Sequence, residues 1–409
     1  MLLADYCQPE FLEQMMRCHA PQQNIRVLDV QPLPVDTSAS ILAVLTAGQS
    51  QCPVGHAGLE VTFAAANNVP QTQRLVLKVK PPGLEVSAML NSLAQACGGE
   101  LAAIYPTYAT RTGFHDTHHR ELELYQQQHA LMPRIWGLHH DDERAEYAIL
   151  MEYLEDVELL NSVLEPEQWT DAHLRAALDQ LAAWHALHLQ PPSSTPAHWP
   201  NRPSGEYMQT MTPLWQTLLQ HATQQFPALY DSARVALLEE AITHIPAYWA
   251  ELAAQPHTLI HNDLNPRNTC FRRHPDGTLQ FCAYDWELAT YHVPAYDAVE
   301  LLAFVLDTNR YDQRPAYLDY YRQCLHARTG CYPDAAHFRR IAGLAALDFG
   351  LHRLGMYLMA HAVSPYPYLP RVVHSYFDTL AQLQPAQTWY ELPSAALVLA
   401  QTQYTAETV

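Results

Sequence analysis

A chain of 409 residues, 48% of them apolar and only 16% charged, can bury a large core, and its length predicts two or three domains or lobes. The formal net charge of -19 argues against a nucleic-acid backbone or an anionic membrane surface as the main partner and favours cationic or neutral ligands. Eight scattered cysteines, with no Cys-x-x-Cys pair, are too sparse for a disulfide scaffold and predict a reduced, cytoplasmic setting.

Residues 1–7 lack the basic end and long apolar run of a signal peptide. The most apolar long segment, Ile341 to Val363, contains Asp348, His352 and Arg353 and reads as a buried helix, not a membrane span. No internal repeat is visible.

Residues 8–19 read as a short helix with Pro9 in its first turn, where a missing N–H costs nothing. A strand over 24–30 follows, then Pro32 and Pro34, a polar turn containing Ser38 and Ser40, and a strand over 41–46. Residues 47–57, rich in Gly, Gln and Ser, read as a loose insertion before a strand over 59–65. From Arg74 to Lys80, alternation puts Leu75, Leu77 and Val79 on one face and Val76, Lys78 and Lys80 on the other. Residues 105–113 read as a loop or disordered connector, and the helix around 118–125 has Leu122 and Tyr125 as its core face.

Two histidine clusters, His115-x-x-His118-His119 and His139-His140-Asp141-Asp142-Glu143, lack the ligand spacing of a known metal motif. They read as a helix surface and a solvated hairpin turn. Tyr147 to Leu154 reads as a strand, and Thr170 as the N-cap of a helix through Leu189 with Leu174, Leu178, Leu181, Trp184 and Leu187 at helical spacing. After a Pro- and Ser-rich stretch from Pro191 to Pro203, helices are expected over 206–222 and 230–254. Further helices are expected over 297–307, 312–328, 335–362 and 369–383, with an irregular tail after Gln387.

The chemistry is concentrated in His261-Asn262-Asp263-Leu264-Asn265-Pro266-Arg267-Asn268 and, after a hairpin signalled by Asp276-Gly277, in Tyr284-Asp285-Trp286-Glu287. An apolar lead-in, His-x-Asp, four residues, Asn, and then a strand ending in Asp is the layout of a kinase catalytic loop and metal-binding strand. Phosphoryl transfer needs a carboxylate within reach of the attacking hydroxyl and hard oxygen ligands for Mg²⁺. Asp263 fits the first requirement, and Asn268 and Asp285 fit the second. The hairpin is expected to bring Asn268 and Asp285 together.

These motifs resemble those of the aminoglycoside phosphotransferase and choline kinase-like family, small-molecule relatives of the protein kinases. Pro294 and Asp297, shortly after the second motif, extend the likeness, and so does Leu181-Ala182-Ala183-Trp184-His185. Asn262 stands where the family more often has Gly, a mild departure because Asn tolerates unusual backbone angles.

The resemblance implies an α+β, bilobal, protein kinase-like fold, with a nucleotide-binding antiparallel-sheet lobe over 1–154 and a larger, mainly helical catalytic and acceptor-binding lobe over 155–409. It implies ATP and Mg²⁺ as cofactors and γ-phosphate transfer to a small-molecule hydroxyl. Lys78 then holds the α/β phosphates and pairs with Glu121, or failing that Glu123. Ser38 and Ser40 contact phosphate, and backbone groups from Met151 through Tyr153 to Leu154 meet the adenine. Asp263 is the base, Asn268 and Asp285 hold the metal, His261 supports the loop, Arg267 neighbours phosphate and Asp297 fixes the loop after the metal site. Trp286, Tyr291 and Tyr296 are read either as an aromatic wall for a cationic acceptor or as ordinary packing. The rival readings are a non-catalytic, nucleotide-binding regulatory module and a kinase acting on protein. No Gly-x-Gly-x-x-Gly loop occurs and no activation segment is recognisable between Asp285 and Pro294, which counts against the latter.

Overall fold

The structure, a computed structural model, describes residues 3–35, 54–66, 68–191 and 202–384. It divides into two compact units. One comprises Met1–Leu90, Thr110–Glu158 and Cys282–Leu288, and the other Asn91–Ala109, Leu159–Phe281 and Ala289–Val409. The expected α+β division into a sheet unit and a helical unit is present. The chain does not divide at one point, however: residues 91–109 belong to the helical unit and 282–288 to the sheet unit.

The sheet unit is built on five antiparallel strands, β1 (Arg26–Leu33), β2 (Gly55–Ala64), β3 (Pro70–Lys80), β4 (Ile135–Asp141) and β5 (Glu146–Glu152), in the order β1-β2-β3-β5-β4. Pro32 lies within β1, where an edge position tolerates its missing donor. The helix Pro9–His19 packs against β1 and β4, and its Leu12, Met15 and Met16 join Leu59, Val61, Leu75, Leu77 and Val79 in one core. Because side chains alternate across a strand, burying Leu75, Leu77 and Val79 in that core turns Lys78 and Lys80 to the opposite face. β3 is central, so these lysines are not the polar face of an edge strand. The strand expected over 41–46 lies outside the described residues, and β2 begins at Gly55, inside the stretch expected to be a loose insertion.

Residues 105–113 are not a loop as far as Arg111: a helix spans Gly99–Tyr108 and a 3-10 turn Ala109–Arg111. Pro106 cannot donate to the carbonyl of Ala102, but the Gln95 side chain donates to that oxygen at 2.6 Å. The two helices expected over 206–222 and 230–254 are four: Gly205–Thr210, Thr212–Gln225, Ser232–Thr243 and Ile245–Ala253. Pro213 and Pro246 sit at the starts of the second and fourth, where a helix accepts proline that its interior would not.

Elsewhere in the helical unit the expected helices are present, as Asp171–Leu187, Ala295–Val305, Arg314–Thr329 and Leu369–Leu383. The apolar run over 335–363 is buried helix interrupted by a π-helical turn, Gly350–Leu354. Among the described residues no helix is long and apolar enough to cross a membrane.

The π turn is tightly packed. A Cβ on Gly350 would stand 1.8 Å from Tyr376 Oη and 2.3 Å from its ring carbon Cζ. Gly350→Ala is therefore expected to destabilise the protein by about 1–3 kcal/mol, as overpacking of a full core does. Urea unfolding checks this. Tyr376→Phe should not rescue the variant, because the ring carbon also clashes.

Candidate active site

The segment carrying Asp263 is fixed by its backbone. A fully buried strand, Thr258–Ile260, pairs antiparallel with Thr290–His292 and delivers the chain to His261. Asn262 adopts φ +61°, the left-handed conformation that makes Gly or Asn suitable there. Asp297 accepts from the backbone N–H of His261 at 2.7 Å and of Asn262 at 3.0 Å. Glu300 accepts from the N–H of Leu264 at 2.9 Å. Asp297 and Glu300 are three residues apart on the helix Ala295–Val305, so one helix face grips both sides of Asp263. Asn265 caps the following 3-10 turn, Pro266–Asn268, by accepting from the N–H of Arg267.

Asp297 is itself oriented. It lies 3.2 Å from His185 Nε2, and His185 Nδ1 meets Tyr321 Oη at 2.5 Å. Burial works to raise the Asp297 carboxyl, but the hydrogen bond and charge of His185 and the His261 N–H outweigh it and hold it below the usual carboxylate range. Asp297 thus fixes the loop that bears Asp263, a correction to the expectation that it fixes the loop after Asp285.

The Asp263 carboxylate is partly exposed and held from several sides. Its Oδ1 accepts from Arg353 Nη2 at 3.0 Å and from the Tyr357 hydroxyl. Its Oδ2 accepts from Asn268 Nδ2 at 2.8 Å, and the same amide nitrogen donates to the Asp263 carbonyl at 2.9 Å. Arg353 comes from the π turn, the kind of insertion that often marks a functional position. Arg267 Nε donates to Asn265 Oδ1, and its guanidinium lies 5.4 Å from the Tyr368 ring centroid.

In the sheet unit, Lys78 Nζ donates to both carboxylate oxygens of Glu121, each at 2.9 Å, and to Asp285 Oδ1 at 2.5 Å. Lys80 binds Glu121 as well and reaches Glu287 Oε2 at 2.6 Å. Glu121 is fully buried on the helix Thr117–Tyr125, whereas Glu123, the fallback partner, is exposed. On the same helix, Arg120 Nη1 donates to the carbonyl of Glu287, and Tyr125 Oη accepts from the N–H of Asp285.

Burial opposes the charge on Lys78, yet Asp285, Glu121 and Glu287 raise its pKa well above the ordinary lysine value. Burial likewise works to raise Asp285, but Lys78 and Lys80 hold its carboxyl well below the usual range. For Glu287 burial wins over Lys80, and its carboxyl is pushed up to about 7.

Within the sheet unit, three carboxylates form a donor set that suits a hard divalent cation. Glu121, Asp285 and Glu287 bring carboxylate oxygens within 4.8 Å of one another, so three acids face two lysines. The Asn268 amide commits its nitrogen to Asp263, which leaves the amide oxygen directed away from that contact.

The expected residues therefore fall into two groups, Lys78, Glu121 and Asp285 in one unit and Asp263 and Asn268 in the other. Met151 lies in β5 opposite Val76 and Ile135. The Tyr153 N–H donates to the Arg74 carbonyl and its own carbonyl accepts from Glu155, so those backbone groups are already engaged. Ser38 and Ser40 lie outside the described residues.

Sequence reasoning missed Lys80, Glu287, Arg353, Tyr357 and Glu300. Trp286, Tyr291 and Tyr296 are all buried, which makes them packing and not an exposed aromatic wall. The two histidine clusters meet: His119, His140 and Asp142, all exposed, bring ligand atoms within 4.8 Å of one another, and His139 and His140 belong to β4 and not to the turn.

The profile of the phosphotransferase enzyme family (APH) matches residues 67–334. None of the proteins of curated function matches the chain. Among solved structures it is similar to an ethanolamine kinase from Plasmodium vivax, at 10% identity and TM-score 0.43, covering 87% of this chain and 81% of that one. It is similar to the GDP complex of aminoglycoside 2'-phosphotransferase-IIIa, at 13% identity and TM-score 0.43, covering 92% and 99%. A third is aminoglycoside phosphotransferase APH(3'')-Id from Streptomyces rimosus with ADP and streptomycin, at 16% identity and TM-score 0.38, covering 77% and 99%. These likenesses are too distant to carry a substrate across.

Proposed function

The chain belongs to the phosphotransferase enzyme family, and we propose that it transfers the γ-phosphate of ATP to a hydroxyl of a small molecule. The bond from the γ-phosphorus to the bridging oxygen of ADP breaks, a bond to the acceptor oxygen forms, and the hydroxyl proton passes to Asp263. Hydrogen bonds from Arg353, Tyr357 and Asn268 fix the orientation of that carboxylate, which lowers the cost of reaching the reactive geometry. Lys78, held by Glu121, binds the α/β phosphates as a fixed positive charge. Met151 and Leu154 meet the adenine, with Tyr153 contributing only if one of its present backbone partners is displaced. Ser38 and Ser40 are assigned to the phosphate-covering turn.

Asn268 and Asp285 are the proposed ligands of Mg²⁺, which when bound neutralises phosphate charge. On this reading residues 1–154 bind nucleotide and 155–409 carry catalysis and the acceptor, with Asp285 supplied from the later sequence to the compact sheet unit. The seven described cysteines are free thiols, which supports a cytoplasmic setting.

The observation that carries the proposal is the support of Asp263: a partly exposed carboxylate on a segment whose neighbouring N–H groups are each bound by buried acids. The regulatory reading draws on one observation, that both Asp263 oxygens are already engaged. Labelled ATP with Mg²⁺ and pooled alcohols, amino sugars and aminoglycosides separates the two. Label should enter a product, and Asp263→Asn should lower turnover by about 10²–10⁴-fold, as loss of a general base does. Equal turnover in the variant would take the base role from Asp263, and tight nucleotide binding with no turnover in any pool would count for the regulatory module.

A further inference from the structure

We infer that His119, His140 and Asp142 form a binding site for a transition-metal dication of the zinc class, which clips the helix Thr117–Tyr125 to the hairpin of β4 and β5. The site lies wholly within the sheet unit and does not depend on the phosphotransferase reading.

Two imidazoles from different elements converge on one carboxylate. His119 comes from the first turn of the helix, His140 from β4 and Asp142 from the turn that follows it. His119 Nε2 stands 3.4 Å from Asp142 Oδ1, and His140 Nε2 stands 3.2 Å from Asp142 Oδ2. Both distances exceed the about 2.7–2.9 Å of a charge-assisted N–H···O bond. They match instead the spacing of ligands around zinc, where bonds of about 2.0–2.1 Å in a tetrahedron put neighbouring donor atoms about 3.3–3.4 Å apart. The three ligand atoms fit within 4.8 Å and all three residues are exposed, so rotation of unencumbered side chains closes the set.

The surrounding groups single out these three. Tyr147, buried in β5 and opposite His140 across the hairpin, donates its hydroxyl to Asp142 Oδ1 at 2.9 Å. Metal-ligating carboxylates are oriented by hydrogen bonds of this kind. That bond, with the one from His140, holds the Asp142 carboxyl below the usual range. His118 is no ligand, because it is buried and its Nδ1 accepts from the Gly83 N–H at 3.0 Å. Alternation along β4 turns His139 to the other face, where its ring meets Phe11 at 4.9 Å between centroids. Of the cations acting on this region, Arg144 lies 3.8 Å from Asp141, and Lys80 pairs with Glu121 and Glu287.

Two imidazoles and a carboxylate suit Zn²⁺, whereas Mg²⁺ takes oxygen ligands and keeps its waters. Water completes the fourth position. His119 and Glu121 are two residues apart on the helix and therefore face different sides, one exposed and the other fully buried. The site is thus separate from the carboxylates around Lys78, yet it anchors the helix that carries Glu121 to them.

The test is titration of the untagged, chelator-stripped, full-length protein with Zn²⁺ by calorimetry, in excess Mg²⁺ to occupy the carboxylates of Glu121, Asp285 and Glu287. One saturable equivalent is expected. His119→Gln, His140→Gln and Asp142→Asn should each weaken it by about 10²-fold, and Tyr147→Phe by about 10-fold. Zn²⁺ should raise the Tm of the wild type by mass action and leave that of His140→Gln unchanged. The three ligand residues are exposed, so their variants keep the fold.

Absence of saturable Zn²⁺ binding to the wild type overturns the inference. So does binding of undiminished affinity in both histidine variants. Binding that survives those variants and disappears in Cys18→Ser, whose thiol is exposed nearby in the same surface pocket, would place the metal on sulfur and overturn it too.

Discussion

Glu121→Ala is expected to cost about 3–5 kcal/mol of folding stability, the usual result of removing one partner from a buried ion pair. Glu121 is fully buried and pairs with both Lys78 and Lys80. Without it two ammonium groups share Asp285 and Glu287, and Asp285 is partly exposed. Chemical denaturation measures the loss, and a change below about 1 kcal/mol would show that water or a rearranged carboxylate replaces Glu121 at little cost. Nucleotide affinity should fall too, because Lys78 loses the partner that fixes it.

The same network gives stability a pH dependence of two signs. Asp285 is depressed in the folded state, so its contribution is present above the ordinary carboxylate pKa of 3.8 and is lost as pH falls through its lower folded value. Glu287 is raised from 4.5 to about 7, so its contribution is complete below 4.5 and is lost as pH rises through about 7. Between pH 4.5 and 7.5 wild type should therefore lose unfolding free energy relative to Glu287→Gln as pH rises. Parallel curves would mean that Glu287 titrates normally.

Asp297→Ala should be as damaging, for a different reason. It removes the acceptor for two buried N–H groups and the partner of His185 at once. Each orphaned donor costs about 1–3 kcal/mol, so a loss of roughly 3–5 kcal/mol is expected. Asp297→Asn is the more informative variant. It keeps the shape and one acceptor oxygen but turns an amide N–H toward one of the donors. Folding should survive, while kcat falls by about 10²-fold through misplacement of Asp263, with KM for ATP little changed. A variant that folds and turns over at the wild-type rate would show that the segment holds its conformation without Asp297.

What was legible in the sequence and what was not follows from chain distance. Asp263 and Asn268 lie in one loop, and their spacing alone brings them into contact. Lys78 was readable because alternation along β3 is a local rule, and the same rule placed Lys80 on the same face, although only one lysine was given a role. Arg353 and Tyr357 are 90 and 94 residues beyond Asp263, and no local pattern links them to it. The available signal was a charged residue inside an otherwise apolar helix, which buries its charge only against a partner. The proline errors were of another kind. Residues 105–113 were read as a loop, although the helix runs through Pro106 and a neighbouring glutamine donates to the carbonyl that the proline leaves unpaired, while Pro213 and Pro246 were passed over where each starts a new helix.

The short segment Cys282–Leu288 belongs to the compact unit formed by much earlier sequence, and this bears on how the protein is made. Lys78, Lys80 and Glu121 emerge from the ribosome well before Asp285 and Glu287. At about 5–20 residues per second, the stretch from Leu159 to Phe281 delays them by roughly 6–25 s. Through that interval two lysines in the nascent sheet unit have one carboxylate between them. The sheet unit therefore cannot reach its final charge balance during synthesis until residue 288 has been added, and a chain ending at Glu158 should emerge as an aggregation-prone fragment and not as a free-standing domain.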